Sequence, residues 1–361
     1  MPPTEQSPSA GNRARRAFQA FRSAHPSLSS LLAGCSASLA IVLVADLAFR
    51  GLEAYGKATK TRRTEQSATI FERDENLGYK LVPGAQSSLV RYDGDQVVRR
   101  LEYSIDDRGR RLTPMADAQQ RARFALFFGG SNTFGVGVDD DETLPHNVSR
   151  LSEDLKPYNY AAPGWGPQHM LARLQHDDLA DEVEAEEGVL VYGFHDGHVK
   201  RAIGSMFVSL RYGASAPYYT IDENGRLVRR GTFTSGRPGA STLFRLLNKS
   251  AIVRYLSIDI PLRIRDEHLH LTCKIMEESR RAFSRQFPRG DFVVVLFPGT
   301  MYGEGLTPCL EAAGIDTLDY SSLFDRLDPT YHIEGDGHPT PAANRRLAEE
   351  LVNDLRTRSR G

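Results

Sequence analysis

Hydrophobic and polar positions divide the chain into stretches of different texture. Residues 1–27 are rich in Pro, Ser, Ala and Arg and read as a flexible basic tail. From Leu28 to Phe49 the positions turn apolar, with Leu31, Leu32, Leu39, Ile41, Val42, Leu43 and Val44, and Asp46 is the one charge. About 20 apolar residues at 1.5 Å rise match the bilayer core, so residues 28–50 predict a single transmembrane anchor. No second such run occurs. Leu32-Ala33-Gly34-Cys35 has the form of a lipidation box. The stretch before Cys35 is short and half polar, however, while the main apolar run follows it, and the anchor is the favoured reading. Arg13, Arg15, Arg16 and Arg22 precede the run, and Arg50, Lys57, Lys60, Arg62 and Arg63 follow it. The positive-inside rule therefore does not choose an orientation, and an exported body is the working assignment.

Residues 51–118 read as a linker and a small β-rich module. Turn signals lie at Asp74-Glu75-Asn76-Leu77-Gly78, Pro83-Gly84 and Asp93-Gly94-Asp95, the last between Ser88-Leu89-Val90 and Val97-Val98. That arrangement predicts a hairpin. Over residues 119–361 the pattern changes. Phe124-Ala125-Leu126-Phe127-Phe128, Val189-Leu190-Val191-Tyr192 and Phe292-Val293-Val294-Val295-Leu296-Phe297 are continuous apolar runs, each closed by glycine or Pro-Gly. Such runs are the mark of buried parallel strands. Helix-like stretches fall between and after them, at 168–179, 269–287 and 341–355. The alternation predicts a three-layer α/β/α sandwich with a parallel sheet, interrupted at about 200–250 by an insertion with a turn at Asp222-Glu223-Asn224-Gly225.

Composition narrows the function classes. The chain has 45 Lys+Arg against 46 Asp+Glu, a net charge of -1, which argues against a nucleic-acid partner. A hydrophobic fraction of 40% and a charged fraction of 25% exclude wholesale disorder. Cys35, Cys273 and Cys309 show no C-x-x-C spacing. Cys273 and Cys309 could pair in an oxidising compartment, two quiet core thiols being the favoured reading.

In parallel sheets ligands bind at the carboxyl ends of the strands, so the residues after each strand carry the chemistry. Gly129-Gly130-Ser131 follows the first run, and presents a serine whose backbone N–H is free to meet a developing oxyanion. Its plain alternative is a tight turn with Ser as a helix cap. Asp336-Gly337-His338-Pro339 precedes the last helix. A serine hydroxyl needs a base, His titrates near pH 6.5, and an Asp two residues away on one turn can orient the ring.

With these residues in view, the sequence resembles the SGNH (GDSL-like) hydrolase superfamily between about Phe124 and Leu355. Gly129-Gly130-Ser131 is similar to the nucleophile block, with Gly130 where the family often has Asp. Asn159-Tyr160-Ala161-Ala162-Pro163-Gly164 is similar to the second block, Gly193-Phe194-His195-Asp196 stands where the family has Gly-x-Asn-Asp, and Asp336-Gly337-His338 is similar to the last. The resemblance implies an SGNH/flavodoxin-like fold and a serine-dependent ester hydrolase or acyltransferase with no cofactor. It implies Ser131, Asp336 and His338 as the catalytic set and Ser131, Gly164 and His195 as the oxyanion hole. His195 departs from the family's Asn, although an imidazole can also donate an N–H. The Asp–His spacing is similar to that of the membrane-anchored polysaccharide O-acetyltransferase branch, which implies an exported or envelope glycan or similar ester as substrate. A catalytically impaired polysaccharide-binding protein and a lipid or small-ester esterase are the alternatives.

Trp165, His198 and Arg201 are candidate substrate-binding residues. The His195-Asp196-Gly197-His198 segment invites a metal, but the sequence places no third ligand, and no metal site is assigned. The chain lacks G-x-S-x-G, a P-loop, a complete G-x-G-x-x-G and H-E-x-x-H. The expected whole is a single-pass membrane protein with its catalytic domain in the periplasm or otherwise outside the cytoplasm.

Overall fold

The computed structural model of the protein describes residues 15, 19–21 and 23–358. The tail expected over 1–27 falls mostly outside the described residues. The chain forms two compact units, one from the chain up to Lys60 together with Leu246–Ile258, the other from Thr61–Arg245 and Asp259 onward.

The first unit is built on one helix, α1 (Pro26–Ala58), with Pro26 at its start, where a missing N–H costs nothing. Its Gly34–Ala58 portion is long and apolar enough to cross a membrane. Leu39, Ile41, Val42, Leu43 and Val44 stand exposed on it. The helix runs past residue 50 because Leu52, Glu53, Ala54 and Lys57 favour it and no proline interrupts it, Gly51 and Gly56 being tolerated.

The second unit begins with the β-rich module. Strands β1 (Arg62–Gln66), β4 (Gln86–Asp93) and β5 (Gln96–Ser104) form an antiparallel sheet in the order β1-β4-β5, and β2 (Phe71–Asp74) pairs with β3 (Gly78–Leu81). Each predicted turn has its mechanism. The Asp74 carboxylate accepts from the Asn76 and Leu77 N–H groups at 2.9 Å, and Gly94 takes φ +58° between β4 and β5. Ile70, Leu77, Leu81, Leu101 and Tyr103 pack with Phe134, Ala161 and Trp165 in one buried cluster. The module therefore shares a core with the loops at the carboxyl end of the main sheet.

That sheet contains β6 (Arg123–Gly129), β7 (Leu155–Asn159), β8 (Glu187–Phe194), β11 (Arg289–Leu296) and β12 (Asp316–Asp319), all parallel, in the order β12-β11-β8-β6-β7. Alternate residues of β6 face opposite layers. Phe124, Leu126 and Phe128 join one cluster with Met170, Met276 and Leu306, and Ala125 and Phe127 join the other with Val148 and Leu351. These contacts place α4 (Pro167–His176), α6 (Asp266–Gln286) and α7 (Gly303–Ala312) on one face. On the other lie α3 (Leu144–Leu151) and α8 (Pro341–Arg358). The three-layer sandwich is as the continuous apolar runs predict. Phe124 packs 4.8 Å from the Phe287 ring, and its truncation to Ala would cost about 3–5 kcal/mol.

Two strands escape prediction. β7 and β12 are short edge strands that carry Lys156, Asp316, Thr317 and Asp319, and so lack an apolar run. The insertion holds the expected hairpin, β9 (Pro217–Ile221) with β10 (Leu227–Thr232), closed by Gly225 at φ +73°. Cys273 on α6 and Cys309 on α7 form a disulfide, which corrects the reading of two quiet thiols. Sequence spacing could not bring them together, but α6 and α7 are neighbours on one face of the sheet.

Candidate active site

Strand order reverses direction between β6 and β8, the place where open parallel sheets leave a crevice at their carboxyl ends. Ser131 follows β6 there as the first residue of the short helix α2 (Ser131–Phe134), so its N–H lies outside the intrahelical ladder. Gly130 is needed for close approach. A Cβ at this position would overlap the Arg201 guanidinium and lie 2.9 Å from His198 Nε2. An Asp in place of Gly130 has no room here, because Arg201 fills the space.

Asp336 and His338 sit on a tight loop before α8. The Ile333 N–H donates to the His338 carbonyl at 2.8 Å and the Gly337 N–H donates to the Ile333 carbonyl at 2.9 Å, which turns both side chains the same way. His338 Nδ1 hydrogen-bonds Asp336 Oδ1, while Arg91 on β4 donates from Nη2 to Asp336 Oδ2. Burial raises the Asp336 pKa, but the hydrogen bond and charge of His338, followed by Arg91, outweigh it and hold the carboxyl below its ordinary value. An ionised Asp336 accepts only, so Nδ1 carries the ring proton and Nε2 offers a lone pair.

Two cavities meet at Ser131, and Arg201 and His338 also line both. One, about 370 Å³, is mixed, with Asn132, His195, Asp196, Arg326 and His332 beside Phe297, Phe324 and Tyr331. The other, about 630 Å³, is apolar, walled by Phe71, Tyr79, Val136, Pro163 and Tyr212, with Gly164 at its edge. Gly164 takes φ +84°, and a Cβ there would overlap the Tyr79 hydroxyl, which donates to the Pro163 carbonyl at 2.6 Å. The structure thus brings Ser131, Asp336, His338, His195, Gly164 and Arg201 around connected space.

His195 is held in one tautomer. Its Nδ1 accepts from the Gly197 N–H at 3.1 Å, so the neutral ring carries its proton on Nε2, and this buried atom has no protein partner. Burial, then the charges of Arg201, His338 and Arg326, push the His195 pKa down to about 3. His198 follows the same pattern one turn on, with Nδ1 accepting from the His195 N–H at 3.4 Å, and burial pushes its pKa well down. Among the described residues no group of three or more His, Cys, Asp or Glu that could hold a metal ion comes together.

Trp165 and His198 line neither cavity. Trp165 stacks on His169 with rings 5.3 Å apart, and its carbonyl accepts from Arg201 Nη1 at 2.8 Å. These two residues back the Arg201 side chain, which does reach the cavities. Asp196 ties the loop after β8 to the loop after β11, accepting from the Met301 and Tyr302 N–H groups at 3.0–3.2 Å. Sequence reasoning missed Arg91, Phe71 and Tyr79, which come from the β-rich module. Nothing in the periodicity of β2–β4 marks them, since their role depends on where the module docks.

No protein-family model and no curated protein matches the chain. Solved structures similar to it include an acetyl xylan esterase from Butyrivibrio proteoclasticus, 11% identical, with a TM-score of 0.41, over 82% of this chain and 83% of that one. A member of the lipolytic G-D-S-L family from Veillonella parvula is 13% identical, with a TM-score of 0.37, over 64% of this chain and 97% of that one. An acetylxylan esterase from Geobacillus stearothermophilus is 12% identical, with a TM-score of 0.36, over 64% of this chain and 94% of that one.

Proposed function

We propose that the chain is a serine-dependent ester hydrolase of SGNH type, able to pass the same acyl group to water or to a sugar hydroxyl. The observation that carries this reading is the convergence of Ser131 and the Asp336–His338 pair on one cavity at the sheet's switch point. His338 Nε2 takes the Ser131 hydroxyl proton as Oγ bonds to the ester carbonyl carbon. The oxyanion is met by the Ser131 and Gly164 N–H groups and by His195 Nε2–H. His338 then returns the proton to the departing alcohol as the ester C–O bond breaks. Water or a second hydroxyl, deprotonated by His338, releases the acyl group and restores Ser131.

The apolar cavity takes the acyl side, and the mixed cavity with Asn132, Asp196 and Arg326 takes the alcohol side, which suits a hydroxyl-rich acceptor such as an exported or envelope glycan. α1 serves as a membrane anchor, and the Cys273–Cys309 disulfide favours a body outside the cytoplasm, where such bonds persist.

Labelling of the protein with a fluorophosphonate probe tests the reading. The wild type becomes labelled, Ser131→Ala does not, and His338→Ala reacts at least about a hundredfold more slowly. A folded wild type that stays unlabelled would bring forward the non-catalytic binding protein.

A further inference from the structure

The apolar helix α1 is long enough to serve either as a retained anchor or as a leader that is removed. Its C-terminal half is also the receptor for a segment 200 residues downstream. Asp46, Phe49, Arg50 and Glu53 lie on one face of α1, spaced at helical intervals. Residues 246–258 close over that face. The Asp46 carboxylate accepts from the Ser250 hydroxyl at 2.8 Å and from the Ala251 and Ile252 N–H groups at 2.5 and 3.4 Å, and so caps the short helix α5 (Ala251–Tyr255) from another element. Arg50 donates to Asp46 at 2.9 Å and to the Lys249 carbonyl at 3.1 Å. Arg254 grips Glu53 with two hydrogen bonds, at 3.0 and 2.8 Å, and the Phe49 and Tyr255 rings lie 5.0 Å apart.

Removal of α1 would strip the Ala251–Tyr255 helix of its cap and leave Arg254 without its carboxylate. The clasp also has a definite height on the helix. Asp46 stands near the end of the apolar run read over residues 28–50, with 18 residues, Leu28 to Ala45, and about 27 Å of helix before it. Asp46 and Arg50 then fall where the apolar layer gives way to headgroups. The docked segment exposes Leu246, Tyr255 and Leu256, and the Phe49–Tyr255 ring contact joins this patch to α1, which exposes Leu47 and Leu52. Lys249 and Lys57 stand exposed beside them. Apolar side chains, a tyrosine and lysines around a polar clasp are the composition of a membrane interface.

We infer that α1 is a retained anchor and that residues 246–258 are a second membrane-contacting element, docked on it by Asp46 and Glu53 and laying Leu246, Tyr255 and Leu256 into the interfacial layer of an anionic bilayer. This rests on the reading of α1 as a membrane helix. The lipid surface is the occupant because the exposed apolar residues extend the face of a helix that the same bilayer surrounds.

The test uses the full chain with Cys35→Ser, leaving no free thiol among the described cysteines, and one environment-sensitive fluorophore attached at Leu256→Cys or Leu43→Cys. The protein is placed in vesicles of phosphatidylcholine and phosphatidylglycerol, with or without lipids bearing a nitroxide quencher near the headgroup or in mid-chain. The Leu256 probe is expected to lose about half its emission to the headgroup quencher, and the Leu43 probe to be quenched most from mid-chain. Asp46→Ala should abolish the quenching at 256 and leave that at 43. Quenching at 43 with none at 256 overturns the inference and leaves the anchor standing. No quenching at 43 overturns the anchor reading itself. Quenching at 256 that survives Asp46→Ala overturns the clasp.

Discussion

His195 is the residue whose identity departs most from the pattern the sequence resembles, and its surroundings define what it can do. The Gly197 N–H occupies Nδ1, and burial with three nearby cationic or ionisable groups keeps the ring neutral down to about pH 3. A neutral ring with its proton on Nε2 remains a donor at every pH above that. On this reading His195→Ala removes one oxyanion donor and lowers kcat about 10²–10³-fold, with KM little changed. His195→Asn restores a side-chain N–H and stays within about tenfold of wild type. Steady-state kinetics on an activated ester would measure both, and an Ala variant with unchanged kcat would remove His195 from the oxyanion hole.

At the scale of elements, the β-rich module is part of the site. Arg91 on β4 holds the second oxygen of Asp336, and Phe71 and Tyr79 wall the apolar cavity. On the proposed reading Arg91 is a positioning residue, acting on His338 through Asp336. Its loss removes a positive charge that opposes protonation of the Asp336–His338 pair. Arg91→Ala should therefore move the acid limb of the kcat profile upward in pH and lower kcat about tenfold, while Arg91→Lys recovers part of both. A pH profile identical to wild type would confine Arg91 to a structural role. The elements also show how far the sequence could be read. β6, β8 and β11 were legible because strands buried on both faces need unbroken apolar runs. Ser131, His195 and His338 were legible because they directly follow strands or precede a helix. Trp165 and His198 look the same in sequence as cavity residues, yet packing sets them behind Arg201. Arg91 was invisible because its value lies in a docking contact 245 residues along the chain.

At the scale of the whole molecule, buried neutral histidines make stability depend on acid. The His169 and His195 pKa values are pushed down to about 3, chiefly by burial, and His198 lies well below its ordinary value. Below about pH 6.5 the unfolded chain binds protons at these three sites that the native state refuses, so stability falls as pH falls. Thermal unfolding from pH 7.5 to 4.5 should show a melting temperature that declines steadily below about pH 6.5, and His169→Leu should flatten the decline by about one proton. A melting temperature constant from pH 7 to 5 would contradict the buried neutral state.

The Cys273–Cys309 bond has a mechanical consequence. It spans 36 positions of chain and bypasses the whole of β11, while the two cysteines' Cα atoms stay 6.3 Å apart. Tension applied between the N-terminal helix and the C-terminus travels through the sulfur bridge and leaves that segment slack. About 120 Å of potential chain extension is thereby withheld. Held at one end and pulled at the other, the chain would then extend elsewhere while β11 stayed closed inside its covalent loop.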